Sequence, residues 1–133
     1  MTAPQRTLLD TSVVIDLEQV GLGEFTEARA SVSAVTVAEL AYGMDVPDPM
    51  ERLVRSERFQ ATINHFDVLP FDLAAAKLYG VLAVLVRQAG HNPHPRRMDL
   101  QIAATAAAHE LPLLTRNGAD FAGLHQVVEV ISL

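Results

Sequence analysis

The chain has 133 residues, half of them apolar and a fifth charged, which predicts one globular domain over 1–133 with a single core. It contains no cysteine, which excludes disulfides, thiolate metal sites and cysteine nucleophiles and fits a reducing, cytoplasmic setting. A net charge of −6 excludes nucleic-acid binding through a broad positive field and leaves that task to local basic groups.

In chain order, Met1-Thr-Ala-Pro-Gln-Arg6 lacks the long apolar run of a signal peptide. Arg6-Thr-Leu-Leu9 predicts a short buried strand, followed at once by a helix over 12–17. Gly21-Leu-Gly23 breaks that pattern, and a second strand is expected at 31–34. A helix over 36–44 stops at Asp45-Val-Pro-Asp-Pro49, and Pro49 suits the start of the next helix, 49–65. Arg52, Arg55 and Arg58, with Glu51 and Glu57, form the polar side of that helix and read as a solvated face. A third strand at 67–69 is stopped by Pro70, and Asp72 caps a helix reaching residue 89 that is apolar almost all round. Its longest apolar stretch, 73–86, contains Lys77 and is too short to span a bilayer, so no membrane association is expected. A rigid loop at 90–95 precedes a helix of small residues at 98–110, a fourth strand at 111–115 and a fifth at 126–131. Alternation of strands and helices predicts an α/β fold, a three-layer α/β/α sandwich around a central parallel sheet.

Isolated acidic residues recur at the ends of these apolar segments. In an open parallel sheet ligands bind outside the carboxyl ends of the strands, so the topology gathers these residues at one edge. Asp10, in Leu9-Asp10-Thr11-Ser12, taken alone reads as an N-cap, yet three polar side chains in a row exceed what one cap requires. Glu39 is the only charge between Ala34 and Met44, on a helix apolar nearly all round; a carboxylate buried there needs an ion pair or a metal. Asp99 stands in line with Ile102, Ala103 and Ala106, and serves equally well as a first-turn aspartate facing the helix dipole. Asn117 and Asp120 lie in a turn-forming stretch after the fourth strand. The five histidines form no His-x-x-x-His pair, which argues against a histidine-rich metal site. Nine of the ten basic residues are arginine, and Arg96, Arg97 and Arg116 lie within three positions of Asp99 or Asn117. A cluster of oxygen donors of this kind suits a hard cation, whose expected work is phosphodiester cleavage.

The order and spacing of Asp10-Thr-Ser12, Val37-Ala-Glu39-Leu40, Asp99-Leu-Gln-Ile-Ala103 and Leu114-Thr-Arg-Asn117-Gly-Ala-Asp120-Phe121 resemble the successive motifs of PIN-domain nucleases, with the VapC-type toxins as the closest match. The resemblance covers essentially the whole chain. It implies a metal-dependent endoribonuclease toxin of a toxin–antitoxin pair, cytoplasmic and homodimeric, cutting RNA and inhibited by a cognate VapB-type antitoxin. The family's first three acidic positions fall on Asp10, Glu39 and Asp99, as ligands of Mg²⁺ or Mn²⁺. The fourth falls on Asn117, which brings a carbonyl but no charge, with Asp120 placed to supply the missing charge. Carboxylates about 4 Å apart repel by roughly 4 kcal/mol at an effective dielectric of about 20, a strain that a divalent cation relieves. Arg96, Arg97 and Arg116 are candidates for holding flanking phosphates, and Thr11, Ser12 and Thr115 for orienting carboxylates or waters. A catalytically inactive PIN-like module that binds RNA or protein is the alternative, kept open by Asn117. A haloacid-dehalogenase-like phosphotransferase wants an aspartate where Ser12 stands, and a receiver domain wants paired acids after its first strand.

Overall fold

The computed structural model describes residues 6–133, and the leader-less reading of Met1–Gln5 lies outside them. Five parallel strands form one sheet in the order β3-β2-β1-β4-β5. They are β1 (Arg6–Leu9), β2 (Arg29–Ser33), β3 (Asp67–Leu69), β4 (Leu113–Thr115) and β5 (Val130–Ser132). From β1 the chain moves to β2 and β3 on one side, then crosses over to β4 and β5 on the other. The switch point therefore lies between β1 and β4, which is where an open α/β sheet leaves a crevice at its carboxyl edge.

Both faces of the sheet are covered, as the continuous apolar runs of its strands require. Leu8 and Leu113, paired in register, face a core built from α5 (Leu73–Gln88) and α6 (Arg97–Ala108). Leu9, Leu114 and Val32 face the opposite core, closed by α1 (Thr11–Ile15), α3 (Ala34–Tyr42) and α4 (Pro49–His65). The small residues Ala103, Ala104 and Ala106 of α6 are wholly buried, so that helix lies close against its neighbours. Side-chain caps start three of the helices: Ser33 accepts from the Val35 amide, Asp48 from Glu51 and Asp72 from Ala75.

Several expected elements shift. The helix expected at 12–17 is two short pieces, α1 and α2 (Leu17–Val20), interrupted at Asp16. The second strand begins at Arg29, two residues early, and α3 starts at Ala34 because Ser33 caps it. The fourth and fifth strands are shorter than the apolar runs that announced them. Neither α3 nor α5 is buried all round: Tyr42 is 85% exposed and Leu73 71%. Among the described residues no helix is long and apolar enough to cross a membrane.

Candidate active site

Asp10, at the carboxyl end of β1, occupies the N-cap position of α1 without capping it. Its carboxylate is 4% exposed, and Oδ2 accepts two hydroxyl protons, from Ser12 Oγ at 2.8 Å and from Thr115 Oγ1 at 2.9 Å. Backbone amides fix the sense of both bonds. The Arg116 amide donates to Ser12 Oγ and the Asn117 amide to Thr115 Oγ1, so each hydroxyl has only its own proton to give Asp10. The aspartate of β1 is thereby tied across the switch point to the turn after β4, and Oδ1 is left without a hydrogen-bond donor among the described residues.

Glu39 projects from α3 and is half-buried, with Thr11 Oγ1 donating to Oε1 at 2.9 Å. Thr36 lies one turn earlier on α3, fully buried, with its hydroxyl 3.0 Å from that of Thr11. Since the Thr11 proton is given to Glu39, Thr36 is the donor to Thr11, and a chain of two hydroxyls ends on the carboxylate. Thr36 was not picked out from the sequence; its one-turn spacing from Glu39 was the available signal.

Asp99 sits in the first turn of α6. Burial first, then the charges of Asp10, Glu39 and Asp120, push its carboxyl up from the ordinary 3.8 to about 6, with Arg96 opposing. Burial also raises Glu39, against the hydrogen bond from Thr11, and Asp10 adds to the rise. Asp99 therefore senses the other three expected carboxylates, and Glu39 senses Asp10, at one edge of the sheet. The donor set is oxygen throughout, which suits Mg²⁺ or Mn²⁺ and not a soft metal. Among the described residues no three acidic or histidine side chains close into a tight cage. Mg²⁺ does not need one, since it keeps several waters and takes one or two carboxylates directly.

Asn117 is exposed beside this edge, at the start of the short turn Gly118–Phe121 that carries half-buried Asp120. The three arginines expected to hold phosphates are engaged within the fold. Arg96 donates to the Asp120 carbonyl at 2.8 Å, Arg97 to the His94 carbonyl at 3.0 Å, and Arg116 pairs with Asp16 at 2.7 Å.

An α/β/α sandwich with carboxylates gathered at its switch point defines a class, and comparison with known proteins identifies it. Residues 7–124 match the family model of the PIN domain, and the chain belongs to the PIN domain family. Within that family its likeness is to the VapC proteins. It is 32% identical to Ribonuclease VapC5 of Mycobacterium tuberculosis over 135 residues, covering 97% of this chain and 95% of the relative. It is 31% identical to Ribonuclease VapC4 of the same organism, covering 97% and 98%. Among solved structures it is similar to a member of the VapBC family of toxin–antitoxin systems, VapBC-5 of Mycobacterium tuberculosis. That match has a TM-score of 0.82 and 32% identity, and covers 98% of this chain and 100% of the other.

Proposed function

We propose that this single-domain chain is the ribonuclease toxin of a toxin–antitoxin pair, an endoribonuclease that hydrolyses RNA phosphodiester bonds with Mg²⁺ or Mn²⁺ and is held in check by a cognate VapB-type antitoxin. The observation that carries the reading is the gathering of Asp10, Glu39 and Asp120 around Asp99 at the carboxyl edge of the sheet, where burial first and then these three charges push the Asp99 carboxyl up to about 6. Like charges gathered at that cost are the signature of a cation site, and the VapC relatives are ribonucleases by name. When bound, the cation supplies an acidified attacking water and neutralisation of the charge that develops on the phosphate.

The chain's own residues do the holding. Asp10, Glu39 and Asp99 would hold the cation, and Asn117 and Asp120 would complete the site through a carbonyl or through water. Ser12, Thr115 and Thr11 fix the carboxylate orientations and leave one oxygen each of Asp10 and Glu39 without a side-chain donor. Arg96 lies beside Asp99 and Arg116 beside Ser12, each placed to exchange an internal acceptor for a phosphate oxygen. The exposed apolar side chains of α5, Leu73, Val81 and Val84, offer surface for a homodimer or for the antitoxin.

The test is cleavage of total cellular RNA by purified, antitoxin-free protein with Mg²⁺, Mn²⁺ or EDTA, beside Asp99→Asn. Discrete, metal-dependent fragments are expected for the parent, with at least a hundredfold loss in the variant. Asn117, which brings no charge to the fourth position, favours a second reading, a binding module that does not cut. Folded protein that retains RNA on a filter but never cleaves it would establish that reading instead.

A further inference from the structure

Arg58 lies on α4 and lines two adjoining stretches of one groove. The first, about 350 Å³, also includes Thr11 and Glu39 of the carboxylate site. The second, about 560 Å³, runs on past Val14 and Leu17 towards Phe66. Arg58 and Ile15 line both, so Arg58 stands where the groove leaves the carboxylates.

Its neighbours on α4 are spent inside the fold. Arg52 donates twice to the Val46 carbonyl, at 3.1 and 2.9 Å. Arg55 donates to Glu51 Oε1 and to the Gly43 carbonyl, both at 2.8 Å. These two arginines staple the connection between α3 and α4 while staying on the solvated side of the helix, Arg52 exposed and Arg55 partly so. Across the site Arg96, Arg97 and Arg116 are likewise bonded to internal oxygens. Arg58 is half-buried, and its guanidinium makes no hydrogen bond or ion pair with the described residues, although its carbonyl accepts from Thr62 Oγ1. A guanidinium keeps its charge and its fork of donors in any protein environment, and that fork matches phosphate oxygens.

We propose that Arg58 seats a backbone phosphate of the RNA strand to one side of the scissile bond, in the groove between α1 and α4. The inference rests on the nuclease reading and deepens it. An RNA strand brings a negative charge at every nucleotide to a protein of net charge −6, whose site is lined with carboxylates. A cation continuous with that site and free of internal partners offsets this repulsion where the strand enters. The second stretch of the groove is more apolar, and an amphipathic protein segment is the rival occupant.

The experiment compares the parent protein with Arg58→Gln and Arg58→Lys, using total cellular RNA as the probe, for cleavage and for filter retention at several salt concentrations. Arg58→Gln is expected to raise the apparent KM about tenfold with kcat nearly unchanged, as loss of one charge-assisted contact predicts. The slope of log affinity against log salt should fall by about 0.7, the value for one phosphate of a single strand, while Arg58→Lys keeps that slope. Unchanged KM and salt slope in Arg58→Gln, in a protein whose parent cleaves, overturn the assignment and leave the nuclease reading standing. If antitoxin affinity falls in that same variant, the groove belongs to the protein partner. A parent that does not cleave removes the nuclease reading, and the retention slopes then decide the role of Arg58 alone.

Discussion

Asp10 holds a capping position and spends its carboxylate on something else. Two hydroxyl protons converge on Oδ2, one from the residue two positions on and one from 105 positions away. Such charge-assisted bonds contribute about 1.5–3 kcal/mol each, and they hold the aspartate in one rotamer. Ser12→Ala and Thr115→Val are each expected to raise the Mn²⁺ concentration giving half-maximal cleavage by about tenfold, with Thr115→Ser restoring it. Because one donor remains in each single variant, the double variant should lose more than the product of the two. A metal midpoint unmoved in both single variants would remove this orienting role. The sequence made Ser12 and Thr115 legible because they adjoin candidate ligands. It hid Thr36, whose partner Thr11 lies 25 positions away. The Arg116–Asp16 pair was hidden for the same reason, since its members stand 100 positions apart.

Two helices on the same face of the sheet end in the same way with different residues. At the end of α5 the His91 amide reaches back to Val86 and the Gly90 amide to Arg87, with Gly90 at φ 89°. At the end of α6 the Leu111 amide reaches Ala106 and the Glu110 amide Ala107, with Glu110 at φ 55°. The motif requires a left-handed residue, a conformation that glycine enters freely and that costs other residues about 1–2 kcal/mol. Glu110→Gly recovers that cost less the extra entropy of glycine in the unfolded chain, roughly 0.5–1 kcal/mol. A net gain of about 1 kcal/mol is expected, a rise of roughly 4 °C in Tm. A lower Tm would mean that the Glu110 side chain holds something at this turn. At this scale the sequence revealed element type well, because periodicity and capping residues are local. Burial was less legible: α3 and α5 are apolar on faces that this chain leaves exposed, and nothing in a periodicity says what covers them.

Across the whole molecule strand–helix alternation announces the parallel sheet, and the observed order β3-β2-β1-β4-β5 carries the carboxylates to the switch point from four separate segments. That convergence makes stability, pH and metal a single linked equilibrium. Burial and its acidic neighbours raise Asp99 to about 6 from 3.8, so between these values the native protein holds a proton that the unfolded chain has released. Stability in metal-free buffer is then fully present below the lower value and falls as pH rises through about 6; the rise in Glu39 acts in the same direction. A cation held by the deprotonated carboxylates, as proposed, would reverse the trend and add about 2.7 kcal/mol at a hundredfold excess over Kd. The Tm gained on adding Mn²⁺ should therefore be small at pH 4.5, grow through pH 6 and level off above it. Asp99→Asn should flatten both the metal-free slope and the Mn²⁺ response. A Mn²⁺ shift of equal size at pH 4.5 and pH 7.5, or one retained in Asp99→Asn, would place the cation away from this cluster.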